Sequence, residues 1–226
     1  MPPATKPPIT ELTDSLAEAM PLLEPDQQRL ALALYRQLAG GKPVSAGQLA
    51  SQLSCDRSQV AETLEGWPGV FRADDGAIAS FWGLAIPEMP HRFRVEGRLL
   101  HTWCAWDALF IPELIGRTAE VESRPPNGGE PVHLVVDPDG VREVEPESAV
   151  VSMLSTTEAL GYRVILGFCN FVHFFPSADA GAAWVAEHPG TFLLSVAEAH
   201  ELGRLVNRRR FGESLSSVDK ASEVSR

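Results

Sequence analysis

Apolar residues in this chain fall first into helical spacing and later into alternation. Leu12, Leu16 and Met20 form one turn-spaced row and Leu30, Leu34 and Leu38 another, separated by the break from Pro21 to Pro25. Residues 10–39 therefore predict two short helices. Ser45 predicts the cap of a third over Gln48, Leu49 and Leu53, and Asp56 or Ser58 starts a fourth through Val60 and Leu64. Those two stand at helix-turn-helix spacing. Between Phe71 and Leu84, Asp75-Gly76 predicts the turn of a hairpin. Residues 11–86 thus read as a winged-helix-like domain.

Past a linker from Pro87 to Pro90 the pattern changes. Phe93 onward predicts a strand and turn, Thr102 to Leu109 a helix that Pro112 interrupts or restarts, and Thr118–Ser123, Val132–Val136 and Ala149–Leu154 strands. Val164 to Phe175 also reads as a strand. Ala178–His188 and Ala197–Arg210 predict the last helices. Strands grouped between helices predict an α+β class: an N-terminal winged-helix-like helical domain, then a mixed-sheet α+β catalytic domain over residues 91–211. Residues 1–10 and 212–226 have little to bury and read as disordered tails.

Composition narrows the function. A formal net charge of -11 argues against tracking a phosphate backbone, and the would-be reading helix sets one arginine, Arg57, against Asp56, Glu62 and Glu65. The expectation is no nucleic-acid partner and a packing role for the winged helix. No apolar run predicts a membrane span, and no h-region follows the proline-rich start, so the expected location is cytoplasmic. Three cysteines in 226 residues fit free thiols in a reducing compartment better than a disulfide framework.

Two of those cysteines carry the candidate chemistry. Cys104 has Asp107 three residues on, so in a helix the thiol and the acid share a face. If Thr102 caps that helix, Cys104 lies in its first turn, where the macrodipole favours the thiolate. Trp103, Trp106 and Phe110 flank Asp107 with apolar surface that would raise its pKa and let it serve as general acid. Cys169 lies in the apolar run from Val164. As a strand, that run puts Gly167, Cys169, Phe171 and His173 on one face, leaving room for a ligand beside the thiol. Each cysteine also reads as ordinary core, Cys55 most plainly so. His173 is either a proton relay or a hydrogen-bonded core histidine. Arg204, Arg208, Arg209 and Arg210 either bind an anion or complement a helix dipole.

The stretch Leu100-His-Thr-Trp-Cys-Ala-Trp-Asp-Ala-Leu-Phe-Ile-Pro-Glu-Leu-Ile-Gly-Arg-Thr-Ala, followed by Phe168-Cys-Asn-Phe-Val-His-Phe-Phe, resembles the organomercurial (alkylmercury) lyases of bacterial mercury resistance. The likeness extends from Gly41-Lys-Pro-Val-Ser to Ser195-Val-Ala-Glu-Ala-His. It implies that the two catalytic cysteines are Cys104 and Cys169 and the catalytic aspartate Asp107. Some members carry extra cysteines where this chain has Asn170 and the segment Ser123–Val132. Neither belongs to the catalytic set.

The resemblance implies protonolysis of carbon–mercury bonds. Mercury, a soft cation, selects thiolates. Cys104 and Cys169 hold it, Asp107 gives the proton, and Hg(II) stays on the three groups as product. Trp103, Phe168 and Phe171 are the expected pocket walls. No cofactor is implied, and the expected partners are organomercurial substrates, low-molecular-weight thiols that extract the ion, and a mercuric reductase that could receive it. The rival reading is a non-catalytic thiol-based metal carrier or winged-helix metal sensor.

Overall fold

A computed structural model describes residues 6–155, 160–161 and 163–223. Four helices come first: α1 (Ile9–Ala19), α2 (Pro25–Leu38), α3 (Ala46–Leu53) and α4 (Arg57–Gly66). Their starts are set by local chemistry. Glu24 and Gln27 form a capping box with Pro25 at the first position of α2, Ser45 and Gln48 form another, and the Asp56 carboxylate accepts from the Gln59 amide. Leu12, Leu16, Leu30, Leu34 and Leu38 are all buried, so the turn-spaced rows are the core faces of α1 and α2.

The hairpin follows as β1 (Val70–Arg72) and β2 (Ile78–Phe81), turned at Gly76 with φ +82°. Then come β3 (Leu84–Ala85), β4 (His91–Val95), β5 (Arg98–Thr102), α5 (Asp107–Ile115), β6 (Ala119–Ser123), β7 (Val132–Val136) and β8 (Val141–Glu145). These eight strands make one sheet in the order β1-β2-β3-β5-β4-β6-β7-β8. The hairpin therefore continues into the main sheet through β3, where Leu84 pairs with Thr102 and Ala85 with His101. In β4, β6 and β7 buried and outward residues alternate, which aligns the inward set on one layer.

The last part comprises β9 (Val150–Leu154), a single helical turn α6 (Val164–Gly167), a 3₁₀ turn (Cys169–Phe171), β10 (Phe174–Phe175), α7 (Ala178–Glu187), β11 (Thr191–Ser195) and α8 (Val196–Glu223). A second sheet has the order β10-β9-β11. The α+β class holds, with helices packed on two sheets. Helix α8 lies so close to α5 that a methyl at Gly203 would meet Phe110 Cβ at 2.7 Å. Trp106 Nε1 donates to the Ala199 carbonyl at 3.0 Å across the same contact.

Four local expectations change. Residues 102–106 are not helical: β5 runs to Thr102 and α5 begins at Asp107, because Thr102 pairs with both Leu84 and His91 in the sheet. Pro112 lies inside α5, and the helix ends instead at Gly116 in the left-handed region. Residues 164–171 form a helical turn and a 3₁₀ turn rather than a strand, and of the expected strand only Phe174–Phe175 pairs in a sheet. Helix α8 continues beyond its break at Gly212, and Leu215 is buried where the composition predicted a tail.

Candidate active site

Cys104 sits in the tight turn between β5 and α5. Thr102 Oγ1 donates to the Cys104 carbonyl at 3.0 Å, and the Cys104 N–H donates to Asp107 Oδ2 at 2.8 Å. The carboxyl thus folds back from the first residue of α5 onto its own approach turn, as a capping residue does. Thiol and acid are neighbours through this turn and not through a shared helix face. Cys104 therefore precedes α5 instead of lying in its first turn.

Cys169 reaches the same place by long-range bonds. The Ala105 N–H donates to the Val172 carbonyl at 3.1 Å, which ties the 3₁₀ turn to the Cys104 turn. On its other side, Ser152 Oγ in β9 donates to the Phe171 carbonyl at 2.7 Å and accepts from the His173 N–H at 3.0 Å. The ligating atoms of Cys104, Asp107 and Cys169 all lie within 4.8 Å of one another. All three residues are buried, and both cysteines are free thiols.

Burial sets the resting protonation. It pushes the Cys104 thiol well up, reinforced by the hydrogen bond with Cys169, so the thiol and not the thiolate is the resting form. For Cys169 the hydrogen bond with Cys104 pulls downward, but burial and the Asp107 charge carry the net direction up. Asp107 is raised to about 7 by burial, against the hydrogen bonds from the Cys104 thiol and N–H that favour its charged form. Its proton is therefore held or released near neutrality, as the apolar flank predicted.

A narrow cavity opens on Asp107 and Cys169. Trp103 and Phe168 line it. Phe171 does not: its ring turns to His188, with centroids 5.9 Å apart, because the 3₁₀ turn sends it away from the thiol. His173 is hydrogen-bonded, Nε2 to the Asn170 carbonyl at 2.8 Å, and packs edge-on against Trp184. Arg204 pairs with Glu113 and Arg209 with Asp14.

Sequence reasoning did not place Tyr35 from α2 or Trp82 and Gly83 from the β2–β3 turn at this cavity, and Arg210 from α8, offered only as an anion binder or dipole complement, lines it as well. The Arg210 guanidinium lies 5.7 Å from the Trp82 ring centroid and 5.2 Å from that of Phe211. No local motif marks these positions, since each arrives by tertiary packing.

Comparison with known proteins places the chain in a family. The profile described as MerB: Alkylmercury lyase matches residues 84–207. The chain is similar to an alkylmercury lyase of Pseudomonas putida, at 41% identity over 82% of this chain and 86% of that one. It is also similar to those of Bacillus cereus, at 40% over 78% and 79%, and Streptomyces lividans, at 42% over 76% and 78%. The crystal structure of the mercury-bound form of MerB2 has the same fold, with a TM-score of 0.71 at 22% identity over 88% of this chain and 98% of that chain.

Proposed function

Because the chain belongs to the alkylmercury lyase family, we propose that it cleaves carbon–mercury bonds by protonolysis, releasing a hydrocarbon and retaining Hg(II). The observation that carries this reading is the meeting of two buried thiols and a buried carboxyl within 4.8 Å. Two sulfurs suit a soft ion, and a carboxyl that titrates at about 7 can both take and give a proton at neutral pH.

In the proposed reaction R–Hg–X meets the Cys104 and Cys169 thiols. One sulfur displaces X, and its proton leaves with X as HX. The second sulfur adds to mercury and gives its proton to Asp107. Electron density pushed through mercury makes the bonded carbon basic, Asp107 delivers the proton to it, and R–H departs. Carbon–mercury, mercury–X and two sulfur–hydrogen bonds break; two sulfur–mercury bonds, one carbon–hydrogen bond and H–X form. Hg(II) remains between Cys104 and Cys169, with Asp107 beside it.

Trp103 and Phe168, joined by Trp106 and Phe110, offer apolar contact to alkyl and aryl groups and exclude water, which strengthens charge interactions inside. No organic cofactor enters the scheme. Low-molecular-weight thiols of the cytoplasm extract the ion, or a mercuric reductase receives it. No helix among the described residues is long and apolar enough to cross a membrane. The test is benzene in the headspace over protein, phenylmercuric acetate and excess thiol. Folded, reduced protein that binds the mercurial without releasing benzene would be a carrier, and the reading would fail.

A further inference from the structure

The proton donor rests against a backbone that leaves no room for a side chain. A Cβ built at Gly83 would lie 2.5 Å from Asp107 Cγ, 2.6 Å from Oδ1 and 2.9 Å from Cβ. Ordinary contact begins near 3.4 Å, so the carboxyl occupies space that every other residue type at position 83 would claim. The Gly83 carbonyl also accepts from the Trp103 N–H at 2.9 Å, which bonds this wall to the turn carrying Cys104.

That wall is fixed from several directions. Tyr35 Oη, buried in α2, donates to the Trp82 carbonyl at 2.7 Å. The Trp82 N–H donates to the Gly69 carbonyl at 3.1 Å and its Nε1 to the Pro68 carbonyl at 2.7 Å. Arg210 covers the Trp82 ring. Trp82 and Gly83 have φ of +32° and +99°, a turn that holds its shape only because its surroundings determine it.

From this geometry we infer that the Trp82–Gly83 turn, held by Tyr35, is a positioning element that aims the Asp107 carboxyl at the mercury-bound carbon. The N-terminal helices thereby contribute to the reaction through the turn they hold. Gly83 acts by being small and close, and Tyr35 acts by holding the turn. The inference rests on the lyase reading above and assigns part of that chemistry to residues outside the thiol–carboxyl trio.

The experiment compares the parent with Gly83→Ala, Tyr35→Phe and a control, Gly76→Ala. Gly76 has a similar φ of +82°, but a Cβ there meets nothing within 4 Å, so the control carries the backbone strain without the contact. Each protein is assayed for thermal midpoint, for kcat and KM of hydrocarbon release from phenylmercuric acetate, and for Hg(II) retained per chain after gel filtration.

Displacing the carboxyl by about 1 Å in Gly83→Ala is expected to lower kcat roughly a hundredfold, with KM and mercury retention near parental. Tyr35→Phe keeps the ring and loses the hydrogen bond, and its kcat is expected to fall about fivefold at parental KM. Gly76→Ala is expected to lose thermal midpoint while keeping parental kcat. A folded Gly83→Ala enzyme with kcat within about threefold of the parent overturns the inference. So does one that loses kcat and mercury retention together, since that marks a general structural role. If Gly83→Ala does not fold, parental kcat in Tyr35→Phe overturns it instead. A parent that releases no hydrocarbon refutes the lyase reading itself, whatever the variants do.

Discussion

Asn207 in α8 donates from Nδ2 to the Phe110 carbonyl at 3.1 Å and to Glu113 Oε2 at 2.8 Å. One amide thus bridges a backbone oxygen and a partly buried carboxylate of α5, the helix that begins at the proton donor. Asn207→Leu removes the donor, so the Phe110 carbonyl and Glu113 each lose this bond, and Glu113 keeps its pairing with Arg204. We expect a loss of about 2–4 kcal/mol of unfolding free energy, read as a lower urea midpoint at unchanged slope.

Asp107→Asn keeps the shape and an acceptor for the Cys104 N–H but holds no transferable proton. The proposed chemistry then stops after mercury capture. Hydrocarbon release should fall by at least about a hundredfold, with one organomercurial still retained per chain. Equal loss of retention would mean that the carboxyl serves chiefly in binding.

The same substitution reports on stability against pH. Asp107 titrates at about 7 in the fold against an ordinary value of 3.8. Between those values the folded chain binds a proton that the unfolded chain has lost. Its contribution is therefore fully present below about pH 4, is lost as pH rises towards 7, and is constant beyond. The window is worth on the order of 4 kcal/mol. Chemical denaturation of parent and Asp107→Asn at half-unit steps should show the variant gaining on the parent as pH rises from 4 to 7.

His91 predicts the opposite slope. It is fully buried, with Nδ1 2.7 Å from Ser123 Oγ, and burial, helped by neighbouring His173, lowers its pKa from 6.5 to about 3. The unfolded chain binds the proton first as pH falls. Stability from the neutral ring is thus present above about 6.5 and lost as pH drops towards 3, again on the order of 4 kcal/mol. His91→Asn should flatten the acid limb of the urea-midpoint profile, and an unchanged limb would assign it elsewhere.

Thiol accessibility is equally direct. Cys55 is exposed, whereas Cys104 and Cys169 are buried. A bulky aromatic disulfide should react promptly with Cys55 and reach the other two only when the chain unfolds. Cys55→Ser should abolish the prompt phase and keep the parental rate of hydrocarbon release.

The parts of this site written within one short stretch were legible. Cys104, Asp107, Trp103, Trp106 and Phe110 fall within eight positions, so their proximity holds whether the backbone is helix or turn. The turn itself was not legible, because what delays the start of the helix is the pairing of Thr102 with Leu84 and His91. Cys169 lies in an apolar run whose β-rich composition favours a strand, yet Ala105 and Ser152 seize its backbone groups and fold it into a 3₁₀ turn. That reversal carries Phe171 away from the cavity. Tyr35, Gly83 and Arg210 reach it only because β3 lies beside β5 and α8 crosses both halves, a relation that no periodicity encodes.

The pairing of β3 with β5 also bears on how this chain breaks. Proteolytic nicking in the stretch 87–90 would leave both fragments dependent on a sheet neither can complete. Were they to part, β5 would face solvent with a bare row of amides and carbonyls beside apolar Leu100, the kind of edge on which sister chains stack. Severed protein should therefore precipitate rather than persist as two soluble halves.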